Sequence, residues 1–161
     1  MREIKAPHRW RGSCARPLAF LAGSIEMGGA PPWQRDVVRA LRREPGTILN
    51  PRRDDWDSSW EQRADNPQFR EQVEWELDGM CRADVVLMWF APGTKSPITL
   101  LELGLSSANR GLIVGCPDGF WRSGNVHIVC ERMGVPMVKT TSDLVSLAKA
   151  MMPAHARSSR K

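Results

Sequence analysis

Apolar residues along this chain alternate between short continuous runs and longer stretches with helical spacing. The short runs occupy 17–25, 47–50, 85–90, 111–115 and 135–139. Runs of this length, rich in aliphatic residues and bounded by turn residues, are typical of strands buried on both faces. The stretches with apolar residues three and four positions apart occupy 33–43, 68–82, 98–109, 126–132 and 142–151. This second spacing predicts helices that each bury one face.

Strictly alternating strands and helices predict an α/β fold with a parallel sheet covered by helices on both faces. Because crossovers between parallel strands are right-handed, few strand orders are available. We predict a flavodoxin-like, Rossmann-like three-layer fold, with five parallel strands in the order 2-1-3-4-5. Ligands bind such sheets at the carboxyl ends of the strands, where the strand order reverses. That edge would bring Gly23 and Ser24 beside the segment 96–102.

The length of 161 residues suits one domain with a hydrophobic core. We divide the chain into a basic flexible leader at 1–16, a single α/β domain at 17–152 and a flexible basic tail at 153–161. The pI of 9.4 and formal charge of +5 suit an anionic small ligand such as a nucleotide. We do not expect nucleic acid as a partner, because no basic helix is interleaved with aromatic residues.

Cysteine spacing and hydropathy indicate in which cellular compartment the protein is expected. The four cysteines form no Cys-x-x-Cys pair and no zinc-type cluster with histidine, so we expect free thiols and no metal site. No apolar stretch reaches the length of a membrane span, and the first residues lack the apolar core of a signal peptide. These features predict a cytoplasmic protein that is not associated with a membrane.

The stretch 83–104 carries the strongest candidate chemistry. It predicts a buried strand, a turn at 91–95, and a helix with Ser96 as N-cap and Pro97 at its first position. Glu102 lies in the second turn of this otherwise apolar helix. Burial there would raise the pKa of its carboxyl group, and a carboxylate so placed can act as nucleophile or base. The alternative is an N-cap and a helix glutamate with no further role.

Other candidates lie near the ends of the predicted strands. Gly23-Ser24-Ile25 could let a sugar or phosphate approach the backbone, or could be only a tight turn. Asp84 opens a strand, at the wrong end for the site, and could simply cap the preceding helix. Asp55 lies in a long polar loop and could equally be solvated. Three tryptophans could stack on a planar base or belong to the core: Trp56, Trp89 and Trp121.

Taken in order, these motifs resemble the nucleoside 2-deoxyribosyltransferase superfamily, including its nucleotide N-glycosidase relatives. The resemblance covers roughly 18–140 and runs through Phe-Leu-Ala-Gly-Ser-Ile at 20–25, Ala-Asp-Val-Val at 83–86 and Ser-Pro-Ile-Thr-Leu-Leu-Glu-Leu-Gly at 96–104. Closer similarity to a deoxyribosyltransferase-like branch comes from 23–28, 55–60 and 119–126. Each motif alone is weak, whereas their order and spacing together are fairly specific.

The resemblance implies a flavodoxin-like fold and a homo-oligomer, a dimer or larger. It implies that Glu102 attacks the anomeric carbon of a (deoxy)ribosyl group, giving a glycosyl-enzyme ester that a second base or water resolves. This parallels retaining glycoside chemistry. It requires no metal and no cofactor, because protonation of the base assists its departure.

Residue by residue, the resemblance is mixed. Ser96 stands where transferases that hold the free sugar hydroxyls have aspartate, as in relatives that hydrolyse 5′-monophosphates. Ser24 matches a phosphate-contacting serine of those relatives, but Glu26 and Met27 replace the basic residue that follows. Asp84 matches a family acid near the sugar or base. Ser123 and Asn125 are the best matches for a residue that a neighbouring subunit contributes.

We therefore hypothesise an enzyme that cleaves or transfers the N-glycosidic bond of a nucleoside or nucleotide. The candidate catalytic residues are Glu102, Asp84 and Asp55. The candidate substrate-binding residues are Gly23, Ser24, Ile25, Trp56, Trp89, Ser96, Ser123 and Asn125. The alternatives are a nucleoside 5′-monophosphate N-glycosidase, a catalytically silent nucleotide-binding module, and a nucleic-acid or protein adaptor that uses the basic ends.

Overall fold

The computed structural model of the protein describes residues 1–12, 14–57, 59–109 and 111–152. The basic tail expected at 153–161 lies outside the described residues. The strands are β1 Arg2–Lys5, β2 Leu18–Gly23, β3 Thr47–Asn50, β4 Val85–Trp89, β5 Leu112–Gly115 and β6 Met137–Val138. The α-helices are α1 Trp33–Leu41, α2 Pro67–Arg82, α3 Pro97–Ser106, α4 Ser123–Met133 and α5 Thr141–Met151.

The sheet is parallel throughout, in the order β1-β3-β2-β4-β5-β6. Its five strands from β3 to β6 reproduce the predicted order 2-1-3-4-5, so the α/β fold class is confirmed. The predicted number of five strands is wrong, because β1 adds a sixth strand at the edge beside β3. Glu3 and Lys5 flank the buried Ile4 in β1, so the segment lacks the continuous apolar run that marks the central strands.

Two hydrophobic cores lie on opposite faces of the sheet, which makes the fold three-layered. Alternate residues of β2 enter each core, as the period of two in a strand requires. Phe20 packs with residues of α2, α3 and α4, whereas Leu21 packs with residues of α1 and α5. The four cysteines are free thiols, as predicted. Among the helices of the described ranges, none combines the length and apolarity needed to cross a bilayer.

The carboxyl ends of β2 and β4 meet at the edge where the strand order reverses. Gly23 is paired with Trp89, and the Ser24 N–H donates to the Trp89 carbonyl at 2.9 Å. Gly23 has φ +140°, and a Cβ atom here would lie 2.4 Å from the Trp89 carbonyl oxygen. Glycine is therefore required here for the two strands to approach, and the chain after β2 is fixed against the chain after β4.

Candidate functional site

A cavity of about 280 Å³ opens at this carboxyl edge of the sheet. Its walls come from four stretches of chain: 23–28 after β2, 51–62 after β3, one face of α2 at 69–76, and 96–102 at the start of α3. The structure thus brings together the predicted site residues Gly23, Ile25, Trp56, Ser96 and Glu102. This is the location that the switch in strand order predicts for a ligand.

The start of α3 is organised by a residue from a distant part of the chain. Ser96 is the N-cap and Pro97 the first helical residue, as predicted, but the Ser96 side chain makes no capping hydrogen bond. The carboxylate of Glu26 instead binds the chain at the entrance to the helix. Its Oε1 accepts from the Lys95 N–H at 3.0 Å and from the Ser96 N–H at 2.6 Å. A negative group is stabilised at this end of a helix by the helix dipole and by the unpaired N–H groups.

Ser24 lies beneath this helix start rather than on the cavity wall. It is fully buried, and its Oγ lies 2.6 Å from Ser96 Oγ and 3.0 Å from Thr94 Oγ1. The Ala91 N–H also donates to Ser24 Oγ, at 2.9 Å. These bonds use the whole hydrogen-bonding capacity of the hydroxyl. Ser24 therefore fixes the chain that follows β4. The sequence analysis had instead suggested that this serine contacts a sugar or phosphate.

Replacing Ser24 with alanine is expected to lower the free energy of unfolding by about 2 kcal/mol, because buried partners lose their hydrogen bond. Urea denaturation followed by circular dichroism measures this loss. The matched control is Ser107→Ala, since the exposed Ser107 hydroxyl makes a single bond to the Gly104 carbonyl. That change should stay within about 0.5 kcal/mol of wild type. Equal losses in the two variants would contradict the interpretation.

Glu102 is the acid that α3 presents to the cavity. It is 8% exposed, and within the described residues its carboxyl group has no hydrogen-bond or ion-pair partner. Burial, and secondarily the charge of Glu76, raises the pKa of Glu102 to about 8. An acid in this state is costly for the fold and is typical of functional clefts.

Glu76 is a second cavity acid, which the sequence reasoning missed. It lies on α2 and accepts a hydrogen bond from Gln72 Nε2 at 2.7 Å. Burial raises the pKa of Glu76 to about 7, although the Gln72 hydrogen bond opposes the shift. The available signal was spacing, since Glu76 is three residues beyond Val73 and seven beyond Phe69, on the same face. The next residue, Leu77, is apolar but lies on the exposed side of α2, where it is 44% exposed.

The loop after β3 supplies the aromatic and basic part of the wall. Trp56 lines the cavity and meets Trp60 edge to face, with ring centroids 5.2 Å apart. The Arg53 guanidinium lies 4.9 Å from the Trp60 ring and donates from Nε and Nη2 to Asp55, both at 2.9 Å. The Arg53 hydrogen bond lowers the pKa of Asp55. Asp55 is thus engaged outside the cavity lining.

Buried polar atoms without a hydrogen-bond partner concentrate around the same cavity. Within the described residues there are four such side-chain atoms, and three belong to cavity residues: Arg53 Nη1, Trp56 Nε1 and Gln72 Oε1. Such atoms are rare in native proteins because each costs free energy. Their concentration at one site is a feature of functional regions rather than of a core optimised for stability.

The structure places several other candidates away from the cavity. Asp84 lies at the amino end of β4, where Arg16 donates to it at 2.5 Å and the Leu18 N–H at 2.6 Å, so it faces the opposite edge of the sheet. Trp89 is buried in the core beneath α1 and α5. Ser123 and Asn125 begin α4 and do not line the cavity.

Trp121 lies on the outside, next to the loop that precedes α3. It is 54% exposed, and its Nε1 donates to the Lys95 carbonyl at 2.9 Å. It does not line the cavity.

Chemically, the cavity combines two carboxyl groups of raised pKa with an aromatic wall. In the described part of the chain, no three histidine, cysteine or acidic side chains form a group that could hold a metal ion. In a comparison with known families, the chain matches the family described as nucleoside 2-deoxyribosyltransferase like over residues 16–120. That stretch contains every residue of the cavity wall. No curated protein matches the chain.

Proposed function

The chain belongs to the nucleoside 2-deoxyribosyltransferase-like family, and we propose that it breaks the N-glycosidic bond of a nucleoside or nucleotide, with Glu102 as nucleophile. The observation that carries this proposal is the buried carboxyl group of Glu102 in the cavity wall, which has no partner in the described part of the chain. Once it has ionised, a carboxylate held there needs no desolvation at the moment of attack. Family membership supports the reaction class, and the placement of Glu102 supports its role in that class.

In the proposed reaction, a Glu102 oxygen bonds to the anomeric carbon while the bond from that carbon to the base nitrogen breaks. The bonding electrons leave with the base, which takes up a proton. The resulting glycosyl ester is opened by water, giving the free sugar, or by a second base, giving a new nucleoside. We assign the proton donor to Glu76 rather than to Asp55 or Asp84, because Glu76 shares the cavity with Glu102. Its pKa of about 7 suits proton transfer near neutral pH.

The remaining walls suit the two halves of such a substrate. Trp56 and Phe69 offer apolar aromatic surface for a planar base. Gly23, Ile25 and Ser96 lie at the end of the cavity nearest the start of α3, where we place the sugar. This arrangement lets the glycosidic bond lie over Glu102.

The direct test is release of free base by the wild-type protein. The common nucleosides, 2′-deoxynucleosides and their 5′-monophosphates are incubated with the protein, and chromatography detects the base. Adding a different free base separates the two outcomes of the ester, because a swapped nucleoside shows transfer and free sugar shows hydrolysis. A protein that binds these compounds but releases no base from any of them would be a binding module instead.

We also propose that the protein is a homo-oligomer and acts in the cytoplasm. Three residues on the outer side of α3 support the first proposal: Ile98, Leu101 and Leu105 are 59%, 60% and 60% exposed. Their spacing forms one apolar stripe, and contiguous exposed apolar surface marks interaction sites. Ile98 also lines the cavity, so a second copy on this stripe would help to close it. The four free thiols support a reducing compartment.

Replacing Leu101 with aspartate is expected to dissociate the oligomer into monomers, because a charge in an apolar interface loses its hydration. Light scattering after size-exclusion chromatography gives the mass. Met133→Asp is the matched control, since Met133 is also exposed but lies at the end of α4. A monomeric wild-type protein, or an unchanged mass for Leu101→Asp, would contradict the proposed interface.

A further inference from the structure

The amino end of α3 has the features of an anion site, and the chain fills it with a carboxylate of its own. The N–H groups of Lys95 and Ser96 converge on Oε1 of Glu26, and the Ser96 hydroxyl lies 3.3 Å from the same oxygen. N–H groups at the start of a helix bind phosphate in many proteins. Here, within the cavity wall, the N–H groups of Lys95 and Ser96 are taken by Glu26 before any substrate enters.

The backbone is shaped to hold this carboxylate in place. Glu26 has φ +48° and Ser96 has φ +44°, and these are the two residues other than glycine with positive φ in the described chain. This conformation is unfavourable for residues with a Cβ atom, and strained residues of this kind cluster at functional sites. Both strained residues belong to one contact, between the short helical turn Glu26–Gly28 and the start of α3.

Glu26 and Glu102 line the same cavity, so one pentose could contact both acids. Ser96 and Glu102 are six residues apart on α3, about 9 Å along the helix axis. Side chains on a helix lean towards its amino end, which directs the Glu102 side chain towards the part of the cavity that Glu26 lines. A sugar whose anomeric carbon meets Glu102 would therefore place its 5′ substituent against Glu26.

We propose that Glu26 makes the protein select a free nucleoside over its 5′-monophosphate. This inference rests on the proposed function and names its substrate class. Oε1 of Glu26 is held by the backbone, and Oε2 accepts a hydrogen bond from the 5′-hydroxyl group. A 5′-phosphate would meet a negative charge at short range, in a place where the N–H groups of Lys95 and Ser96 are already used. The serine at 96 therefore does not indicate a monophosphate substrate here, because Glu26 occupies its N–H group.

Within the described residues, the two arginines of the cavity wall form no ion pair with Glu26. The Arg52 guanidinium donates to the carbonyls of Gly28 and Ala30 at 2.8 and 2.9 Å, which fixes the turn that carries Glu26. The Arg53 guanidinium is paired with Asp55. Nη1 and Nη2 of Arg52 and Nε and Nη2 of Arg53 therefore already donate to the protein, whereas Arg53 Nη1 has no hydrogen-bond partner in the part of the chain that the structure describes.

The test compares kcat/KM for the four common 2′-deoxynucleosides and their 5′-monophosphates, for wild type, Glu26→Gln and Glu26→Ser. We expect wild type to favour the nucleoside at least tenfold. Glu26→Gln keeps an oxygen for the α3 N–H groups but removes the charge, so its preference should fall at least tenfold through a gain on the monophosphate. Glu26→Ser should also lose activity on the nucleoside. Asp36→Asn, on the exposed side of α1, is the control for removal of one negative charge and should leave the preference unchanged.

Calorimetric titration of the same compounds gives a readout that does not depend on turnover. A wild-type protein that processes the monophosphate as well as the nucleoside would overturn the role of Glu26 and leave the proposed function intact. An unchanged preference in Glu26→Gln would do the same. If no base is released from any compound, the proposed function fails, and the binding preference alone then decides the role of Glu26. Equal binding of the two classes, or no binding of either, would overturn it.

Discussion

Glu102→Gln is expected to lower kcat for base release by about 10³-fold or more, because the amide cannot form the glycosyl ester. The variant keeps the size of the side chain and its place at 8% exposure, so substrate binding should change far less than turnover. Because Glu102 must be ionised, with a pKa of about 8, and Glu76 must be protonated, with a pKa of about 7, wild-type kcat/KM should be bell-shaped with its maximum between pH 7 and pH 8. Assays by chromatography between these two pH values measure the difference where wild type is active.

The matched control is Glu74→Gln, since Glu74 lies on the exposed side of α2 and pairs with Arg70. That change should leave kcat within about twofold of wild type. Mass spectrometry of wild type quenched during turnover should show a protein adduct of one sugar, absent in Glu102→Gln. A Glu102→Gln protein that keeps a tenth or more of wild-type kcat, or that still forms the adduct, would remove Glu102 from the mechanism.

At alkaline pH, Glu102→Gln is expected to be more stable than wild type, by an amount of the order of 3 kcal/mol. The pKa of Glu102 is raised from 4.5 to about 8 in the folded protein, by burial and then by Glu76. The folded state therefore binds this proton more tightly than the unfolded state. The contribution of the bound proton to the free energy of unfolding is fully present below pH 4.5 and is lost as the pH rises through 8. Because glutamine does not titrate, the stability of the variant does not fall in this way as the pH rises.

Thermal unfolding at pH 5 and pH 9 checks this expectation. The two proteins should unfold at similar temperatures at pH 5, and the variant should unfold about 6 °C or more above wild type at pH 9. Glu74→Gln should show no such gain, because Glu74 is exposed. A Glu102→Gln protein that gains nothing between pH 5 and pH 9 would show that Glu102 is already ionised in the folded state at neutral pH.

The fold could be predicted from the sequence because its central strands carry local signals. β2 and β4 are continuous apolar runs, and the helices between strands show the spacing of one buried face. β1 gave no such signal, since an edge strand with Ile4 as its buried residue alternates with polar residues. Its place in the sheet depends on pairing with β3, which lies more than forty residues away.

The site was only partly predictable, for the same physical reason. Glu102 was recognisable because an acid in an apolar helix is locally anomalous. The role of Glu26 was not recognisable, because its hydrogen bond to the Ser96 N–H joins residues 70 positions apart. Similarly, nothing local shows that the Ser24 hydroxyl is used up by Ala91, Thr94 and Ser96. Glu76 shares a helical face with Phe69 and Val73, but its place in the cavity could be predicted only by knowing which segments that face meets.

Because Trp56 lines the cavity, its intrinsic fluorescence should report ligand binding. Its indole forms part of the cavity wall and lies edge to face with Trp60, whereas Trp33, Trp75 and Trp89 are in the cores. A base entering the cavity would stack beside Trp56 and quench its emission, against a constant background from the core indoles. Ligand affinities can therefore be read by intrinsic fluorescence, without a label and without turnover.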